Sequence, residues 1–117
     1  MYGDHPPDEV ELRLAPGADG TTVLELEHAS APGTPDGLAG VGVGWDLTVI
    51  ALGLHLAGQT VDPTALEQTP GYRRFVVLSS TAWGAALEAA GVAGDAEAAA
   101  VAERTTAFYA PEPGPEA

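Results

Sequence analysis

Three histidines are the first residues to weigh for metal binding or general-base chemistry. His5 stands among Asp4, Asp8 and two prolines, a composition that suits a solvated end better than a metal site. His28 closes an alternating run on the face of Leu24 and Leu26, so strand geometry points it away from neighbouring Glu27. It reads as a hydrogen-bonded structural residue, or as one lining a pocket between sheet and helix. His55 follows Asp46 by a helical rotation of about 180°, which sets the two on opposite faces. No HExxH or comparable ligand spacing occurs, so the sequence indicates neither a metal nor another cofactor. The absence of cysteine removes thiolate nucleophiles, cysteine zinc sites and disulfides.

Other residues of chemical interest have plainer readings. Glu25 and Glu27 share one strand face with Val23, and Glu9 and Glu11 share one with Arg13, which describes the wet side of a hairpin. Ser79 and Ser80 lack a Gly-x-Ser-x-Gly context and suit helix capping better than nucleophilic attack. The glycines from Gly40 to Gly44 precede a helix but lack the Lys-Ser/Thr ending of a phosphate loop. They predict close packing of backbone against a sheet. Arg73-Arg74 is the one local basic pair and is expected to meet neighbouring acids. No two titratable groups are brought together by spacing alone, so the residues themselves nominate no enzyme.

The elements that would carry these residues follow from periodicity. Residues 9–14 and 22–28 alternate around a turn, Pro16-Gly17-Ala18-Asp19-Gly20, and predict an antiparallel hairpin. Residues 29–40 are rich in Pro, Gly and Ser and read as a loop. From Val41 to Ala57 the period changes: Trp45, Val49, Leu52 and Leu56 form one helical stripe, widened by Leu47, Ile50 and Leu54. A long helix buried on most sides is predicted, with Asp46 in its first turn and Gly58 as its C-terminal cap. Asp62-Pro63 opens a short helix to about Gln68, and Thr69-Pro70 opens a helical pattern to Ala90, with a rival start at Ser79. Asp95 is expected to cap a last helix ending near Phe108. Residues 1–109 then form one domain and 110–117 a disordered tail.

The chain has 117 residues, four arginines, no lysine, 17 acidic residues and a formal net charge of -13. That charge disfavours nucleic acid and anionic membranes as partners and suits a basic one. A hydrophobic fraction of 45% is that of a folding chain. The N-terminus lacks the basic start and apolar run of a signal peptide. The apolar stretch 38–58 contains Asp46, which costs about 2.5–3.5 kcal/mol at the centre of a membrane helix. The sequence therefore predicts a soluble, cytoplasmic protein.

The hairpin, the run from Gly42-Val-Gly-Trp-Asp46 to Gly58, Ser79-Ser-Thr-Ala-Trp-Gly84 and Arg104-Thr-Thr-Ala-Phe-Tyr109 together resemble actinobacterial SRPBCC-domain proteins. These belong to the START-like superfamily and are often described as homologues of the activator of Hsp90 ATPase. The resemblance covers roughly residues 9 to 109 and is most specific at Gly-Val-Gly-Trp-Asp-Leu. It implies an α+β, partial helix-grip fold: one hairpin, a long buried helix and two to three further C-terminal helices. It also implies binding of an apolar small molecule, with Trp45, Val49, Leu52, Leu56 and His28 facing the cavity. The alternative it offers is a protein-interaction module related to Hsp90 ATPase activators. A complete helix-grip domain has further strands before this hairpin. The expectation is therefore a truncated domain, or a half-domain whose open hairpin edges self-associate.

Overall fold

The computed structural model describes residues 8–30 and 33–111 and is an α+β arrangement, a two-stranded antiparallel hairpin followed by four helices. It divides into two compact units, Met1–Gly33 and Thr34–Ala117.

In the first unit, β1 (Glu9–Pro16) pairs with β2 (Thr22–Ala29). Leu12 stands opposite Leu26, Leu14 opposite Leu24 and Arg13 opposite Glu25, so the leucines and the charged residues take opposite faces as alternation predicts, with Ala15 and Val23 paired at the end of the charged face. A 3-10 turn, Ala18–Gly20, joins the strands. Asp19 and Gly20 take positive φ there (58° and 77°), a conformation open to Gly and tolerated by Asp.

The second unit opens with α1 (Pro35–Leu56), six residues earlier than expected. Thr34 is its N-cap and accepts from the Gly37 amide at 3.0 Å, Pro35 occupies the first turn, and Asp36 favours the positive end of the helix dipole. These start signals override the loop-like composition of residues 35–40. Asp46 consequently lies in the middle of α1 and not in its first turn. The helix is also far less buried than predicted: only Ala39, Gly42 and Val43, all in its first half, are buried. By length and composition alone it could cross a membrane, with a mean hydropathy of 1.6 over its most apolar window. Gly58 follows with φ 82°, in keeping with its predicted role as a cap.

Asp62 caps α2 (Pro63–Glu67), its carboxylate accepting from the Thr64 amide at 3.0 Å. Next, α3 (Pro70–Ala89) runs unbroken through Ser79, because that side chain bonds outward to another helix and starts none of its own. Gly91, at φ 76°, follows its end. The last helix, α4 (Asp95–Tyr109), has Gly94 as N-cap, with Asp95 in the first turn.

Ala39, Leu87, Ala93, Ala98 and Val101 form one core cluster, packed by Leu38 and Trp83. Tyr72, Val76 and Ala110 form a second, with Leu47, Leu66 and Tyr109. The fully buried valines 43, 76 and 101 each contribute about 1.5–3 kcal/mol of burial. A Cβ on Gly84 would lie 2.9 Å from the Ala98 carbonyl oxygen, so α3 and α4 approach almost backbone to backbone. Ala110, assigned to the tail by composition, is buried, and its carbonyl accepts from the Arg73 guanidinium. Residues 112–117 lie outside the described residues.

Candidate functional site

The glycines of the Gly40–Gly44 run, expected to pack against a sheet, are contact points for aromatic side chains of α3 and α4. A Cβ on Gly42 would stand 2.3 Å from the Trp83 indole, so the ring lies directly on the α1 backbone. The Tyr109 hydroxyl donates to the Gly40 carbonyl at 2.7 Å, and a Cβ on Gly44 would approach that hydroxyl to 3.1 Å. Burial pushes the Tyr109 phenol above its ordinary pKa. Tyr72, which donates to the Tyr109 carbonyl at 2.9 Å, is raised by burial first and then by Glu67.

Beside this contact sits a polar node that spacing did not nominate. Asp46 accepts from Ser79 Oγ at 2.6 Å and from Trp83 Nε1 at 3.0 Å, both on one oxygen. Ser79 and Trp83 are four residues apart, hence on one face of α3. The one acid of the apolar stretch 38–58, together with a Ser-x-x-x-Trp pair, was the available signal. Ser79 is buried and its proton is committed to Asp46, so the node joins α1 to α3 and does not present a nucleophile. Next to it, Ser80 Oγ is fully buried with no hydrogen-bond partner among the described residues.

The residues expected to face a ligand divide between the units. Trp45, Val49, Leu52 and Leu56 lie on one stripe of α1, roughly 130° around the helix from its buried positions Ala39 and Val43. Trp45 is half-buried, whereas Val49, Leu52 and Leu56 are 50%, 38% and 75% exposed. His28 belongs to the hairpin, where its Nε2 lies 3.0 Å from Asp8 Oδ2. His55 is exposed in the last turn of α1, and His5 lies outside the described residues.

Two of the open grooves of the helical unit lie among the described residues. One of about 560 Å³ runs between α3 and α4 past Arg73, Val77, Thr81, Ala102, Glu103 and Thr106. The other, about 330 Å³, lies beside Gly37, Gly40 and Phe108. Its rim carries a two-bond pair from Arg104 to Asp36, at 2.9 and 3.0 Å, which holds the Arg104 pKa up. On the hairpin, Arg13 reaches Glu11, Glu25 and Glu27 at 2.8, 2.8 and 3.0 Å. Hydrogen bonds to Glu25 and Glu27 are the main cause of its raised pKa. Among the described residues, no group of three or more His, Cys, Asp or Glu side chains could hold a metal ion. The chain matches no protein-family model, no curated protein and no solved structure.

Proposed function

We propose that this chain is a non-catalytic, cytoplasmic binding module related to START-like SRPBCC proteins. Its contact face is the α1 stripe Trp45, Val49, Leu52 and Leu56, and its ligand an apolar small molecule. The observation that carries the reading is a charge-free stripe left exposed beside a packed face of the same helix. Exposed apolar surface gathered on one element is characteristic of binding faces. The order of hairpin, long helix and the Trp45-Asp46 pair supports the relationship. Asp46 in the middle of α1, with no Lys or Arg between Arg13 and Arg73, favours a soluble protein over a spanning helix.

Titration with the neutral dye Nile red tests the proposal. The wild-type chain should take up dye saturably and quench tryptophan emission. Trp45→Phe should abolish most of the quenching, and Leu56→Asp should weaken uptake at least tenfold with an unchanged far-ultraviolet spectrum. Uptake that is absent, or indifferent to both substitutions, overturns the small-molecule reading.

The exposure of Val49 and Leu56 favours a second reading, in which the stripe receives an amphipathic helix of a partner protein. Its spacing of four, three and four residues matches helix-to-helix packing. The relationship to Hsp90 ATPase activators makes a chaperone the partner to try. An ATPase rate altered by wild type and unaltered by Leu56→Asp would favour this reading.

A further inference from the structure

We infer that the open edge of β2 is a docking site for an extended segment of another protein in which basic and apolar residues alternate. The sheet has two strands, so β2 has a strand neighbour on one side only among the described residues. Its eight residues, Thr22–Ala29, contain no proline, and every one carries a backbone N–H. Such an edge presents backbone donors and acceptors that a third strand can use.

The two faces of the hairpin specify the chemistry of that strand. One face carries Val10, Leu12, Leu14, Leu24 and Leu26. Val10, Leu12 and Leu14 are 49%, 61% and 71% exposed. The other face sets Glu9, Glu11, Glu25 and Glu27 around the single guanidinium of Arg13. Arg13 is shared among three of these carboxylates, and Glu9 makes no ion pair among the described residues. The charged face therefore keeps a large negative excess.

A third strand beside β2 would lie about 4.8 Å away, with directly opposed side chains about 5 Å apart. Basic residues two positions apart would then stand opposite Glu25 and Glu27. The apolar residues flanking them would extend the surface of Leu24 and Leu26. A second copy of this chain is a poorer occupant. Pairing two β2 edges antiparallel about a twofold axis places glutamates of both copies on the same face, where opposed like charges repel.

The probe is a fluorescently labelled octapeptide of alternating Lys and Val, added to the full chain. Two further octapeptides serve as controls: alternating Glu and Val, and a block of Lys followed by a block of Val. The alternating Lys-Val peptide should bind one to one and slow amide exchange within residues 22–29. Both controls should bind at least tenfold more weakly. Glu25→Gln with Glu27→Gln should weaken the alternating Lys-Val peptide about tenfold, the effect of losing two cross-strand charge pairs. Block and alternating Lys peptides binding equally would reveal charge attraction without strand addition and overturn the proposal. Binding without new protection in β2 would overturn it too. A sedimenting dimer that the peptide cannot dissociate would assign the edge to a second copy instead. The peptide series needs no substitution, so it decides the matter even if the double variant fails to fold.

Discussion

The two halves of α1 are both built from Gly, Ala, Val and Leu, yet they end in different environments. Between Pro35 and Leu47 the helix lies against α3 and α4: Ala39, Gly42 and Val43 are buried, Trp83 rests on Gly42, and Tyr109 bonds to Gly40. Between Thr48 and Leu56 no residue is buried, and Gly53 would meet nothing within 4 Å if it carried a Cβ. Hydrophobicity alone does not distinguish the halves. What differs is a place where large aromatic rings can reach the backbone, and a polar node that anchors them. Small residues create contact only where a neighbour supplies the ring that fills the space.

The largest effect should come from the anchor. Asp46→Ala would leave the Trp83 indole N–H and the Ser79 hydroxyl without their acceptor, at a cost of about 3 kcal/mol. Asp46→Asn, which retains one acceptor oxygen, should recover more than half of that in urea denaturation followed by helical dichroism. A loss below about 1 kcal/mol for Asp46→Ala would mean that the node does not hold α1 to α3.

Paired glycine substitutions test the contrast within the one helix. Gly42→Ala should destabilise by about 2 kcal/mol, because its Cβ would collide with the Trp83 ring. Gly53→Ala should stabilise by about 1 kcal/mol, the gain in helix propensity at an open position. Urea midpoints moving in the same direction for both variants would break the comparison.

A smaller effect should separate hydrogen bonding from ionisation. Tyr109→Phe loses the bond to Gly40 and should cost about 1 kcal/mol at neutral pH. Burial raises the Tyr109 pKa in the folded chain. Below pH of about 10 both states keep the phenol neutral, and the stabilisation is fully present. As pH rises further the unfolded chain releases its proton first, so stability falls until the folded-state pKa is passed. Tyr109→Phe should flatten the decline in urea midpoint above about pH 10, leaving the share carried by Tyr72.

Local order was legible where a short-range rule governs it. Strict alternation from Glu9 to Leu14 and from Thr22 to His28 encodes the hairpin and its two unlike faces, because side chains in a strand repeat every two residues. Asp62-Pro63 and Thr69-Pro70 mark helix starts, because proline is pre-set for the first helical turn and lacks the N–H that would be left unpaired there. Asp62 adds a capping bond, whereas Thr69 makes none. Thr34-Pro35 carries the same signal, but the surrounding glycines and prolines weigh toward a loop. Trp45, Val49, Leu52 and Leu56 share a stripe by arithmetic alone, and the structure keeps them on it.

Which stripe of α1 would be buried was a different kind of question. Two apolar faces were available on that helix, and periodicity ranks the Trp45 face as highly as the face of Ala39 and Val43. Trp83 and Tyr109 made the choice from positions roughly 40 and 70 residues away in sequence, by fitting rings and hydroxyls onto glycines. Asp46 likewise became an inter-helix acceptor only when α3 brought Ser79 and Trp83 to it. The sequence by itself determined element types, the turn and the sorting of charge on the hairpin, all set by neighbours within a few residues. Tertiary structure alone decided which apolar face was covered and which was left open, because that depends on shape complementarity between segments that local periodicity cannot relate.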